Sequence, residues 1–385
     1  MNTKKYLVKL TPHNKFFFGG EKTFDSARGS NYMVKSNYFP QQTGILGLIR
    51  HQLLIQNQCM PLNRNRGKAK KLIGKHSFTI QNKPLDFGAI QKISPVFICR
   101  DKEFFFPANK EYQWDDEKKE FTFRKYTNTV KGNAYQNSAF IPFLEGYNAK
   151  DGLLDLLVNK DLSIKKYYDF DEENKEKPTN GIFIKEQQVG IRKNYDGETK
   201  DEAFYIQTFL RFNKDFCFAF IVELDLEYDE KNLNTKFESS NLVIFGGEKC
   251  TFHMNVTDIN SSLSLEEYFE SIAPIYPKSC ADKLVLTSDA YVEENYLNQC
   301  QFAISETIPF RSLYTDVDVT TEWHGISYHQ EAKEAKEVKE VIKSGRFNLL
   351  KKGSVLYGDK NMLKTVFDKN NFKKIGYNHY KLIEK

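Results

Sequence analysis

The sequence predicts an α+β fold made of two related β/α halves. Short β-like runs recur along the whole chain, and segments with helical spacing are few. In addition, Phe18-Gly19-Gly20-Glu21-Lys22 recurs as Phe245-Gly246-Gly247-Glu248-Lys249, behind a β-like run in each half. Composition permits this organisation. The 385 residues suffice for two domains, and 32 Phe with 21 Tyr can fill an interior, which excludes a wholly disordered chain.

Tyr6–Leu10 alternates apolar and polar residues, as a half-buried strand does. Phe16-Phe17-Phe18-Gly19-Gly20 makes a turn, a polar loop follows, and Ser36-Asn37-Tyr38-Phe39 is extended up to Pro40. Thr43–Gln56 carries Ile45, Leu48, Ile49, Gln52 and Leu53 at helical spacing. Arg64–Lys75 reads as a loop or ribbon because Gly67 and Gly74 punctuate it. β-like runs follow at Phe97–Arg100 and Phe104–Phe106, with a helical segment at Leu153–Leu157. Asp161–Asn180 is polar and charge-dense, with Pro178 and Asn180 ahead of Gly181, and marks a boundary between residues 1–165 and 181–385. Beyond it lie the β-like runs Ile182–Ile184, Phe204–Phe212, Phe216–Glu223 and Leu242–Phe245. Helices are expected near Ser264–Ile272 and Gln330–Lys343, the latter a solvated amphipathic helix.

Charge is distributed unevenly. The whole chain is +5, yet Ser26–Leu85 holds no Asp or Glu where about eight would be expected at the average density. That window carries ten basic residues (Arg28, Lys35, Arg50, Arg64, Arg66, Lys68, Lys70, Lys71, Lys75 and Lys83), so the remainder of the chain sums to −5. A basic segment on a mildly acidic body points to a polyanionic partner. The six cysteines have no CxxC spacing, which excludes a zinc ribbon and a thioredoxin-type site. The N-terminus reads as a strand and not as a signal peptide, and the longest apolar run, Phe216–Val222, is too short to span a bilayer. A soluble, cytoplasmic chain is expected.

Bond chemistry finds little support. In each Gly-Gly-Glu turn a lysine, Lys22 or Lys249, stands where a two-metal site would need its second carboxylate. The glycines serve either a tight turn or close approach of a phosphate. No HExxH, P-loop, Gly-x-Ser-x-Gly or Rossmann fingerprint is present, so neither a metal nor a cofactor is implied. Asp316, Asp318 and Glu322 beside Trp323 and His324 read as an exposed acidic loop. His51 and His76 are the candidates for a metal-free ribonuclease base, with a structural or RNA-contacting role favoured for both. A binding site is better supported. Gln41, Gln42, Thr43 and Gly44 open the first helix, where unpaired N–H groups attract phosphate, and Arg50 lies two turns in. Asn37 is placed to read a base edge and Tyr38 to stack on a base or to join Phe39 in the core.

At these residues the sequence resembles the RAMP superfamily of CRISPR proteins, and within it the family of the third type III-B (Cmr) subunit. The likeness runs through Ser36-Asn37-Tyr38-Phe39-Pro40-Gln41-Gln42-Thr43 into Leu46-Gly47-Leu48-Ile49-Arg50, then Leu72-Ile73-Gly74 and Phe105-Phe106-Pro107. It continues at Val189-Gly190-Ile191-Arg192 with Ala203-Phe204-Tyr205, at Phe245-Gly246-Gly247-Glu248, and at Gly353-Ser354-Val355 and Ile375-Gly376-Tyr377. The resemblance implies two ferredoxin-like (RRM-type) modules with inserted loops and helices. It implies a non-catalytic subunit, monomeric within a hetero-oligomeric complex, that grips the 5′ tag of the guide RNA (crRNA) and bridges the large polymerase-like subunit to the backbone RAMP subunit. RNA contacts are then expected from Lys35, Ser36, Asn37, Tyr38, Gln41, Gln42, Thr43, Arg50, Arg64, Arg66, Lys70, Lys71, Gly190, Arg192, Gly246, Gly247, Lys373, Lys374 and Gly376. The superfamily's glycine-rich terminal loop is reduced here to Gly376, and Lys373 and Lys374 would partly replace it electrostatically. The alternatives are a guide-processing endoribonuclease, the equivalent subunit of another type III complex, and a generic single-strand RNA binder.

Overall fold

The apolar run Phe216–Val222 becomes the strand around which the other elements are arranged. The computed structural model describes residues 3–19, 33–80, 83–115, 117–124, 126–127, 143–144, 152–167, 181–193, 199–213, 215–225, 235–259, 261–276, 279, 282–293, 295–314 and 342–385. In it the strand Phe216–Asp225 is covered on both faces. Side chains alternate across a strand. Phe216, Phe218, Phe220, Val222 and Leu224 therefore enter one large aromatic core, together with Ile45, Leu48, Ile49 and Leu53 of helix α1 (Gln42–Gln56). Cys217, Ala219 and Ile221 face a second cluster covered by Leu265 and Phe269 of the helix Leu265–Ile272. The bulky residues thus fill the deep side and the small ones admit the helix. Phe218 lies 4.6 Å from Phe212, 5.2 Å from Phe16 and 5.4 Å from Phe18 between ring centroids.

The main sheet is antiparallel throughout. Its order is Ile164–Lys166, Leu156–Val158, Glu103–Pro107, Phe97–Arg100, Phe216–Asp225, Thr3–Pro12, Thr251–Asp258, Ser240–Ile244, with Ile90–Ile93 also pairing on Phe216–Asp225. Tyr6, Val8 and Leu10 are buried, as the alternation in the first strand predicts. A separate antiparallel sheet runs Phe302–Ile304, Val355–Tyr357, Lys283–Leu286, Tyr380–Ile383. A long hairpin, Phe183–Lys193 with Thr199–Phe212, takes Met33–Lys35 as a third, parallel strand. The two larger sheets meet through Ala108, Leu156, Val158, Val285, Val355 and Tyr357. Beside that seam Lys110, with 1% of its side chain exposed, pairs with Asp155 at 2.5 Å and Glu306 at 2.8 Å. The outcome is the expected mixture of strands and few helices, mostly antiparallel.

Three expectations are corrected. Strands from both sides of the 165/181 boundary share the main sheet, because Thr3–Pro12 pairs with Phe216–Asp225 and with Thr251–Asp258. Leu153–Leu157 is not helical; Leu156–Val158 is a strand whose successive residues enter different cores, so its apolar run lacks the gaps that separate a strand from a helix. The repeated pentapeptide does not mark equivalent places in two halves. The Phe18 and Phe245 rings lie 5.4 Å apart, and Gly247 N–H donates to Phe17 O at 2.8 Å, so the two copies abut. The rest of the first copy (Gly20–Lys22), Arg28, residues 168–180, the acidic residues 316–322 with Trp323 and His324, and most of the helix expected at Gln330–Lys343 lie outside the described residues.

Phe218 is fully buried, so Phe218→Ala should cost about 3–5 kcal/mol of unfolding free energy. Leu242→Ala, at a side chain 62% exposed, should cost under about 1 kcal/mol. Urea midpoints of the two variants measure the difference.

Candidate nucleic-acid interface

The acid-free window contributes a second helix. Residues Arg66–Ile73 form α2, with Ala69, Leu72 and Ile73 buried at i, i+3, i+4. The loop reading of this stretch is corrected by what its two glycines do. Gly67 sits in the first turn, where the helix tolerates it. Gly74 stops the helix with a positive φ (71°) and an extended ψ (−170°) that suit glycine alone, and a Cβ there would stand 2.2 Å from Asp86 O. Arg64, Arg66, Lys68, Lys70, Lys71 and Lys75 are all exposed on or beside α2, with no carboxylate in the same stretch of chain. Lys68 Nζ turns back to donate to Asn57 O at 2.9 Å.

The start of α1, in contrast, is closed. Gln42 N–H donates to the Tyr377 hydroxyl at 3.2 Å, and Thr43 also bonds to that hydroxyl. Gln42 Nε2 donates to Ser94 O at 3.2 Å and Gly376 O at 3.1 Å. Gly376 (φ 94°) is required there, since a Cβ would stand 2.5 Å from both Gln42 Nε2 and Ser94 O. A side chain from the far end of the chain fills the place expected for a phosphate. Burial, then Asp289, holds the Tyr377 hydroxyl well above its ordinary pKa, so it stays protonated. Gln41 is the N-cap residue but makes no side-chain cap.

Other expected contacts also serve the fold. Arg50 Nη2 donates to His76 O at 2.7 Å and its guanidinium lies 5.1 Å from the Phe87 ring; burial pushes its pKa down to about 10. Lys374 lies 5.2 Å from the same ring and bonds Leu85 O. Its pKa is lowered by burial, Arg50 adding to the effect and Asp86 opposing it. Lys373 pairs with Asp368 at 2.9 Å. Tyr38, half-buried, packs against Phe183 (5.1 Å) and Tyr167 (5.2 Å) at the edge of the core; Phe39 is buried, as expected. The Ser36 hydroxyl accepts from Phe18 N–H, and Asn37 Nδ2 donates to Gly19 O at 3.3 Å, so this stretch fastens the first turn. Gly246 and Gly247 lie against Phe17 and Phe18 as turn residues. Gly190 makes room for Tyr205, its cross-strand partner, whose ring would be 2.1 Å from an added Cβ. Arg192 lies on the hairpin, with its side chain outside the described residues.

Sequence reading missed the length of that hairpin. Toward its tip Val189, Ile191 and Phe204, with Met33 on the added strand, are 43–57% exposed. The register Val189↔Ile206, Ile191↔Phe204, Met33↔Ile206 puts them on one face. Below them Lys35 and Lys185 are exposed and close enough to interact, and Lys185 is lowered by burial first and by Lys35 second. The available signal was the every-second-residue apolar alternation, Val189/Ile191 on one strand and Phe204/Ile206 on the other. Among the described residues no group of three or more His, Cys, Asp or Glu side chains could hold a metal ion, and no helix is long and apolar enough to cross a membrane.

The model of the family described as CRISPR-associated protein (Cas_Cmr3) matches residues 8–385. No curated protein matches the chain in sequence. Among solved structures, the chain is similar to one in the cryo-EM structure of the Type III-B Cmr-beta bound to cognate target RNA, at 13% identity over 98% of this chain and 96% of that one, with a TM-score of 0.47. It is similar to one in the Type III-B Cmr-beta bound to cognate target RNA and AMPPnP, at 14% over 98% and 96%, TM-score 0.44. A chain of the Csm3–Csm4 subcomplex of the type III-A CRISPR-Cas interference complex follows at 11% over 92% and 93%, TM-score 0.36.

If the Tyr377 hydroxyl caps α1, Tyr377→Phe should lower the unfolding free energy by about 1 kcal/mol. Gly376→Ala should lower it further, through the clash with Gln42. Denaturant titration of the full chain checks both, and an unchanged midpoint in Tyr377→Phe would show that the hydroxyl is not needed there.

Proposed function

Because this chain belongs to the CRISPR-associated Cas_Cmr3 family, we propose that it is a non-catalytic subunit of a type III-B effector complex that holds the 5′ tag of the guide RNA. The observation that carries this reading is the exposed basic side of α2 and its flanks, Arg64, Arg66, Lys70 and Lys71, in a stretch with no acid. Single-stranded RNA offers closely spaced phosphates, and such a surface attracts them with little regard to base identity. Lys35 and Lys185 add a second cationic station, and an anion near them would relieve their mutual repulsion. The exposed apolar tip of the hairpin suits unstacked bases better than water.

The strand orders support two ferredoxin-like modules. Numbered along the chain, Thr3–Pro12, Phe97–Arg100, Phe216–Asp225 and Thr251–Asp258 lie side by side as 2-3-1-4. So do Lys283–Leu286, Phe302–Ile304, Val355–Tyr357 and Tyr380–Ile383. On this reading the first module spans residues 3–258, with the basic segment and the hairpin as insertions, and the second spans 283–385. The subunit then bridges the large polymerase-like subunit and the backbone RAMP subunit. The ribonuclease alternative is disfavoured at His76, where Nδ1 already accepts Asp86 N–H at 2.9 Å.

Lys70→Glu with Lys71→Glu should weaken guide binding at fixed salt. It should also reduce the slope of log affinity against log salt by roughly 1 to 2, at ~0.7 per phosphate contact on a single strand. Unchanged affinity and slope would remove α2 from the interface. Equal affinity for RNA without the tag would leave an RNA-binding subunit but reject tag holding. Purified chain incubated with repeat RNA in the absence of metal should leave it intact; specific cleavage lost in His51→Ala or His76→Ala would establish the enzyme instead.

A further inference from the structure

Two of the six cysteines meet across the main sheet. Cys99 on Phe97–Arg100 and Cys217 on Phe216–Asp225 are directly opposite in the antiparallel register, and both are free thiols. Directly opposed residues in such a pair have Cα atoms about 4.5–5.5 Å apart and side chains on the same face. That separation falls inside the roughly 4.4–6.8 Å that a disulfide spans. The two thiols therefore stand side by side on one face of the sheet. Cys99 Sγ also lies 3.5 Å from Asp101 O, and the Lys9 ammonium donates to that carbonyl at 2.9 Å beside the pair. Thr11 bonds Cys217 from the neighbouring strand. Cys99 has no exposed surface and Cys217 keeps 8%, so the pair is open only on the Cys217 side.

From this geometry we infer that Cys99 and Cys217 form an oxidisable dithiol, which hydroperoxides convert to a disulfide joining the two strands. The setting supplies both partners the reaction needs. A thiolate at Cys99 accepts the Cys217 S–H bond and is near the Lys9 charge, which pushes Cys99 down to about 7 against the opposing effect of burial; Cys217 is raised by the same bond and by burial. Cys59, Cys250 and Cys300 lack this arrangement and are all pushed up, chiefly by burial. In the first step a thiolate of the pair attacks one peroxide oxygen, the O–O bond breaks, a sulfenic acid forms, and the hydroxide released takes the thiol proton as water. In the second step the partner sulfur attacks the sulfenic sulfur, the S–S bond forms, and the S–O bond breaks to release a second water. Two thiols lose two electrons and one peroxide gains them. The product closes a loop of more than one hundred residues, and long loops are where a cross-link most constrains the unfolded chain.

The test uses the full chain, reduced and then exposed to hydrogen peroxide, denatured in N-ethylmaleimide and mapped by mass spectrometry. The expected result is two fewer alkylated cysteines than in the reduced chain, a linked Cys99–Cys217 peptide, and full recovery after dithiothreitol. The oxidised chain should melt several degrees above the reduced one. Cys217→Ser should abolish both the linkage and the shift, whereas Cys59→Ser should keep them. Six alkylated cysteines after oxidation, a link between any other pair, or sulfinic acid at Cys99 or Cys217 without a link would overturn the assignment. The mapping of the unsubstituted chain decides the matter even if Cys217→Ser fails to fold.

Discussion

Phe216–Asp225 has to be covered on both faces, and the other elements are placed by that need. An antiparallel strand can leave one face to water when its residues alternate in polarity. Phe-Cys-Phe-Ala-Phe-Ile-Val offers no polar face, so a helix must close each side. α1 and the aromatic cluster close the deep side, and Leu265–Ile272 closes the shallow one. The flanking strands, Thr3–Pro12 and Phe97–Arg100, inherit their register from the same strand. Rings that gather at Phe218 come from residues as far apart in sequence as Phe16 and Phe212, so the core draws distant segments together.

A second constraint acts on the basic residues. A cation in the interior needs a partner or a ring, and several lysines and arginines are used in that way. Lys110 and Lys351 share Asp155 and Glu306; Lys352 lies 3.4 Å from the Phe39 ring, where burial pushes its pKa down to about 8. Arg50 and Lys374 both lie over Phe87. These groups serve the molecule as internal struts. The cations exposed on and beside α2 are therefore a subset of the basic window, and the proposed RNA contact draws on that subset.

Much of the fold was legible in short stretches. The first strand, α1 and the helix Leu265–Ile272 follow from local periodicity because each buries one regular stripe, and Phe216–Asp225 follows from its unbroken apolar run, which has both faces to bury. α2 was hidden by its glycines, since one tolerated in a first turn and one ending a helix look, in sequence, like loop punctuation. At the candidate site, the basic character of Arg64–Lys75 was readable, and the hairpin tip was partly so through Val189 and Ile191. The roles of Tyr38, Gln42, Arg50 and Lys374 were not, because each depends on a partner from a distant segment.

The sequence by itself determined the quantities that add along a chain: the acid-free window, the aromatic content, the absence of common catalytic spacings, and the order of family-like motifs. Tertiary structure alone decided which of those residues face outward. Tyr377 closes the start of α1 and Cys99 meets Cys217, both through long-range packing. Such packing is a property of three-dimensional proximity, and two segments more than a hundred residues apart carry no mark of it in their spacing.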